Sequence, residues 1–218
     1  STLEFDFPSG GKLSNILLNF KELKSSSYEL QDIYPNIFGT ILPSSLQSMG
    51  EFVLKGDLLY KSERIKSNIY LENKGGKIYS DLDIYDFQNI DNASYVGTFK
   101  GDNVELSSFI TLPFLGKSTF QFSIDGKGFT PELLNSSLEG NIQDLSINNY
   151  NYSDINVLGD VSDKIFNGTL NVVDENLEMD FTGLIDYSDE LIDFDFSTNI
   201  IKANIGMLGL TSAENNTL

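Results

Sequence analysis

Apolar and polar residues alternate along most of this chain. In LEMDF, Leu177, Met179 and Phe181 alternate with Glu178 and Asp180. The same period of two runs through LEFDF (Leu3–Phe7), GEFVLKGDLLY (Gly50–Tyr60), SNIYLENK (Ser67–Lys74) and KIYSDLDIYD (Lys77–Asp86). It returns in YVGTFKG (Tyr95–Gly101), STFQFSIDG (Ser118–Gly126), SLEGNIQDLSI (Ser137–Ile147), NGTLNVVD (Asn167–Asp174) and IDFDFSTNI (Ile192–Ile200). Period two with Phe, Tyr, Ile and Val marks a strand with one face buried. The clusters NKGGK, NIDNAS, SDK and YSDE lie between runs and read as hairpin turns. One strand every 10–14 residues or so makes this an all-β chain.

Helix is scarce in the pattern. GKLSNILLNFKELK places Leu13, Ile16, Leu17, Phe20 and Leu23 close to an i, i+3, i+4, i+7 stripe, which predicts one amphipathic helix. ILPSSLQSMG suits a single turn. TPELLNSSL opens with Thr130 at an N-cap position and Pro131 at the first helical position, which predicts a short helix that returns to strand. No linker-like stretch divides the chain, so residues 1–218 read as one continuous β-rich segment.

Charge sharpens the picture. There are 32 Asp and Glu against 14 Lys and Arg, a formal net charge of -18. Phosphate binding needs clustered Lys and Arg, so nucleic acid is not an expected partner. Acidity is concentrated late: Asp154 to Asp195 holds twelve carboxylates and one lysine, mostly on the polar phase. That suits an antiparallel sheet with one face in water. A register slip of one residue would move Phe181, Phe194 and Phe196 into that water, so the register is strongly specified.

The chemistry of catalysis is thin. With no histidine, the commonest general base and zinc ligand is missing, and with no cysteine there is no thiolate or disulfide chemistry. GKST (Gly116–Thr119) looks like the end of a phosphate-binding loop, but Thr111 stands where that loop needs a glycine, so it reads as a turn. Asp81, Asp83 and Asp86, and Asp186, Asp189 and Glu190, supply oxygen ligands of the kind calcium takes, without the EF-hand glycine and terminal glutamate. They read as solvated turns and strand faces. The expectation is a non-enzymatic protein without cofactor or metal.

The order of segments carries a resemblance. PNIFGTILPSSLQSMGEFVLKGDL (Pro35–Leu58) resembles a recurring strand, LP-x-x-L turn and GxFxLxG strand of the TamB family of Bacteroidetes-type bacteria. The stronger match runs from LGKSTFQFSIDGKGF at Leu115, through INNYNYSDINVLGDVSDKIFNGTLNVVDENLEMDFTGLID ending at Asp186, into IDFDFSTNIIKANIGMLGL, covering residues 115–210. TamB belongs to the AsmA-like, bridge-like lipid-transfer proteins. The resemblance implies a long, mostly antiparallel curved sheet with a few short helices. That sheet forms a half-pipe, or β-taco, with an apolar interior. It also implies a periplasmic segment of a longer chain. Such a chain is held at the inner membrane by an anchor outside this segment and works with an outer-membrane β-barrel of the TamA or BamA type. Phospholipid acyl chains would be the cargo, and support of outer-membrane protein assembly is also attributed to the family. The groove candidates are Phe120, Phe122, Ile124, Leu170, Val172, Leu177, Met179, Phe181, Phe194 and Phe196.

The competing expectation is a secreted structural or adhesive β-sandwich. In it the same phenylalanines would close into a core, and the acidic face would meet calcium or a surface partner.

Overall fold

The computed structural model describes residues 2–6, 15–38, 47, 49–61, 64–86, 93–108, 112, 114–130, 132–189 and 191–209. Its strands are β1 (Thr2–Asp6), β2 (Asn15–Ser26), β3 (Glu51–Lys61), β4 (Arg64–Asn73), β5 (Gly76–Tyr85) and β6 (Ser94–Glu105). They continue as β7 (Leu115–Lys127), β8 (Asn135–Ile147), β9 (Tyr150–Ser162), β10 (Ile165–Val173), β11 (Leu177–Asp186) and β12 (Asp193–Ala203). One helix, α1 (Ser27–Phe38), follows β2, and a 3-10 turn (Leu106–Ser108) follows β6.

The twelve strands form one sheet in sequence order, and among the described residues β1 and β12 are its two open edges. Each pairing is antiparallel. Tight turns explain this topology: a two-residue hairpin loop forces neighbours in sequence to become neighbours in the sheet. Asn148 and Asn149 (φ 49° and 68°) join β8 to β9, and Asp163 and Lys164 (φ 52° and 63°) join β9 to β10. Two successive residues at positive φ make the turn whose twist matches that of the strands.

Contacts between elements run between adjacent strands, with α1 against β2 and the 3-10 turn against β7. Among the described residues no second sheet covers the first, so the sandwich expectation is corrected to a single open layer.

Curvature has a local cause. Gly159, Gly168 and Gly183 face one another in one register row across β9, β10 and β11. A Cβ on Gly168 would collide with the Leu158 carbonyl oxygen and the Gly159 Cα. Gly183 holds φ +153°, and a Cβ there would strike the Asp195 carbonyl oxygen. Missing side chains on one face let strands bend toward it. All three glycines lie on the apolar phase, so the sheet fits a curved half-pipe with that face inward.

Most alternation segments became strands, but not every element followed its prediction. Residues 11–14 of the helix predicted over GKLSNILLNFKELK lie outside the described residues, and from Asn15 on it is strand β2. Its Ile16, Leu18 and Phe20 pair with Tyr60, Leu58 and Gly56, and a bulge between Phe20 and Leu23 brings Leu23 opposite Leu54. Strands on both sides supply backbone partners that a lone helix would not have, and tertiary pairing overrides a weak helical stripe. The real helix starts one segment later, at a capping box. Glu29 N–H donates to Ser26 Oγ (3.3 Å), while Ser26 N–H donates to Glu29 Oε2 (3.2 Å). The helix predicted at TPELLNSSL shortens to one turn, in which Leu133 and Leu134 N–H both donate to the Thr130 carbonyl (3.0 and 2.9 Å) before β8 begins. GKST is strand, inside β7, and not a turn. The turn suggested in ILPSSLQSMG lies almost wholly outside the described residues, as does most of NIDNAS. Among the described residues, no helix is long and apolar enough to cross a membrane.

Candidate functional site: an open apolar face

Residues directly opposite on paired strands point to the same side of a sheet. The register therefore places all ten groove candidates on one face. Phe120 and Ile124 on β7 face Ile142 and Leu138 on β8. Ile142 faces Ile155, and Gly140 faces Val157, on β9. Val157 then faces Leu170, and Ile155 faces Val172, on β10. Leu170 faces Phe181, and Val172 faces Met179, on β11. Met179 faces Ile200, Gly183 faces Phe196 and Ile185 faces Phe194 on β12, while Leu177 faces Ala203 past a bulge.

The candidates fall into two groups, and strands between them join the groups. Phe99, Phe120 and Phe122 form a chain of ring contacts at 5.6 Å each. Phe181 stacks on Phe196 at 5.1 Å. Between these groups lies the buried cluster Ile155, Val157, Val161, Phe166, Val172 and Phe181, with Phe122, Leu170, Leu177 and Met179 packed against it. Strand β9, which supplies three cluster members, was not among the alternation segments. Gly159 and the positive-φ Asp154 interrupt its period, though Ile155, Val157 and Val161 still alternate.

Burial differs sharply among the candidates. Val172 and Phe181 are buried, whereas Phe194 and Phe196 are 56% and 49% exposed. The expectation that register keeps Phe194 and Phe196 out of water is therefore corrected. They sit on the apolar face, but among the described residues β12 has a neighbour on one side only, and all of its residues are exposed.

One end of the face is fixed by a buried carboxylate. Asp174, between β10 and β11, accepts from the Tyr150 hydroxyl, from Ser153 N–H and Oγ (3.1 and 3.0 Å) and from Asn176 N–H (2.8 Å). Burial pushes its carboxyl up, but the hydrogen bonds from Tyr150, Asn176 and Ser153 outweigh burial and hold it below the usual carboxylate range. The acceptor in turn pushes the Tyr150 phenol up. This network fixes the turn that sets the β10–β11 register.

The opposite face is polar. The only arginine, Arg64, makes a two-pronged ion pair with Asp83 (3.1 and 2.6 Å). That hydrogen bond holds the Asp83 carboxyl below its ordinary range. One register row crosses this face through Lys55, Tyr70, Tyr79, Lys100, Gln121, Asn141, Asn156, Asn171 and Asp180. Lys55 Nζ lies 5.9 Å from the Tyr70 ring centroid, and Tyr70 lies 4.9 Å from Tyr79. The Tyr70 hydroxyl donates to Glu72 (2.6 Å), which pushes the phenol up to about 12. An open cavity of about 770 Å³ lies over β5 to β10 on this side. A twisted sheet is saddle-shaped, so both faces are concave along different diagonals.

Among the described residues, no three carboxylates converge to hold a metal ion. Asp81 and Asp83 lie on the face of β5 and Asp186 caps a turn through Ser188, while Glu190 lies outside the described residues. Compared with known family models, curated proteins and solved structures, the chain matches none.

Proposed function

We propose that this chain is a non-enzymatic segment of a TamB-like, AsmA-type conduit, whose apolar face carries phospholipid acyl chains. One observation carries the reading: an antiparallel sheet of twelve strands leaves an apolar face, continuous from β7 to β12, with no second layer over it among the described residues. The exposed part of that face, Phe194, Phe196 and Ile200 on β12 beside the buried cluster, calls for a ligand or partner. Each methylene placed in water costs about 0.8 kcal/mol, so a chain of fifteen faces a barrier of roughly 12 kcal/mol. A continuous apolar track lowers that barrier along its whole length. No bond is made or broken, so the task needs no general base, metal or cofactor.

The order of segments over residues 115–210 supports placing the protein in the periplasm. There it would pass lipid between inner and outer membranes, with an outer-membrane β-barrel partner of the TamA or BamA type. Exposed Phe194 and Phe196 beside buried Phe181 give a lipid tail somewhere to lie without displacing the cluster.

The test is solvent extraction of the purified chain followed by mass spectrometry. Co-purifying phospholipid is expected at near-stoichiometric levels, and Phe196→Asp should reduce it severalfold while the chain stays folded. A folded, lipid-free protein that also takes up no lipid from vesicles contradicts the reading.

A further inference from the structure

The polar face holds a feature that lipid handling does not use. Asn141 Nδ2 donates to Asn156 Oδ1 (3.2 Å), Asn156 Nδ2 to Asn171 Oδ1 (3.4 Å), and Asn171 Nδ2 to Asp180 Oδ1 (2.9 Å). These bonds cross β8, β9, β10 and β11 in a single direction, and Asn141, Asn156 and Asn171 line the floor of the 770 Å³ cavity. That volume falls within the usual range for small-molecule sites, about 300–1,000 Å³.

We propose that this row is a binding track for a neutral, extended oligosaccharide. A primary amide has two donor hydrogens and two acceptor lone pairs. Asn156 and Asn171 each use one of each in the ladder and keep one of each. A paired donor and acceptor is the complement of a sugar hydroxyl, which both gives and takes a hydrogen bond. Gln121 continues the amide floor, opposite Asn141.

Charge selects against other polymers. In a chain of net charge -18, Gln121, Asn141, Asn156 and Asn171 are uncharged and sit side by side, while Lys100, Asp102 and Glu139 also line the cavity. An anionic polymer would be repelled by the molecule as a whole, and a polycation would be drawn to the acidic strands instead. A neutral ligand fits the amide row, and its hydroxyls can also meet Lys100, Asp102 and Glu139.

Aromatic and apolar surface completes the site. Tyr79, 42% exposed, lines one end of the cavity and is braced by Tyr70. Leu158, 57% exposed, lies on the floor. Both offer apolar surface to the C–H face of a pyranose ring. Spacing supports the same ligand. Side chains in the row recur at the interstrand distance of about 4.8 Å, close to the length of one pyranose unit in an extended glycan. An extended peptide repeats at about 3.3 Å per residue and falls out of step with the row.

The inference does not depend on the lipid reading, because it uses the other face of the sheet. Its test is calorimetric titration of the intact chain with chitohexaose and cellohexaose, with chitobiose and a neutral hexapeptide as comparisons. At least one hexaose should bind at least tenfold more tightly than the disaccharide. Tyr79→Ala and Asn156→Ala should each weaken it tenfold or more, whereas Tyr79→Phe should keep it. Far-UV circular dichroism checks the fold, and Asn156→Asp, which removes the amide donors with little change of shape, replaces Asn156→Ala if that variant unfolds. Absence of binding by both hexaoses, unchanged affinity in the folded variants, or tighter binding of the hexapeptide overturns the proposal.

Discussion

Strands β11 and β12 carry the same alternation and face the same side, yet one is packed and the other is bare. Phe181 on β11 is 5% exposed, while Phe196, stacked on it at 5.1 Å, is 49% exposed. Sequence composition does not separate them. Phe181 has strands on both sides and lies beside the row of glycines that bends the sheet toward it, whereas among the described residues Phe196 has one neighbouring strand. In a single-layer sheet, burial is a property of position across the sheet more than of side-chain hydrophobicity. A closed sandwich would bury both residues alike.

Truncation gives the widest separation between the two strands. Phe181→Ala should cost about 3–5 kcal/mol in urea unfolding, the range for emptying a packed aromatic site. A charge at Phe181 would be buried without a partner, so Phe181→Asp tests stability and says little about the groove. Removing Asp174 comes next. Asp174→Ala leaves the Tyr150 hydroxyl and two backbone N–H groups without their acceptor, and should cost about 2–3 kcal/mol. The pH dependence follows from the sign of its shift. The folded carboxyl titrates below the unfolded value of about 3.9, so its stabilisation is complete above that value and is lost as pH falls through the folded one. Between about pH 5 and 3, wild type should therefore lose more stability than Asp174→Asn, measured as the fall in urea midpoint.

Gly183→Ala sharpens the contrast at the boundary itself. The added Cβ meets the Asp195 backbone, so it should destabilise by more than about 1 kcal/mol. Hydrogen exchange should show protection lost first along β12. The smallest effect belongs to Phe194→Ala, expected under about 1 kcal/mol because the side chain already stands in water. Equal costs for Phe181→Ala and Phe194→Ala would remove the comparison altogether.

Much of this fold was legible in the sequence because a period of two is a direct consequence of strand geometry. The ten groove candidates were chosen from alternation and resemblance, and the register places them on one face. What escaped depended on information a local pattern does not carry. Residues 15–26 have a stripe compatible with either period, and only the presence of β1 and β3 decides for strand. The helix at Ser27 was marked by Ser26 and Glu29, a local capping signal that the apolar pattern does not report. Strand β9 was obscured by Gly159 and Asp154, the same kind of irregularity that curves the sheet. The asparagine row is invisible along the chain, since its members lie fifteen residues apart and meet only through register.

The most direct test of the open apolar face uses a photo-crosslinking residue at either of two adjacent positions on β12. Phe196 lies on the apolar face, and Ser197 lies opposite Thr182 on the polar one. With labelled phospholipid vesicles, crosslinks to lipid are expected from position 196 and not from 197. Equal labelling at both positions, or none at 196 in a folded protein, would contradict the account.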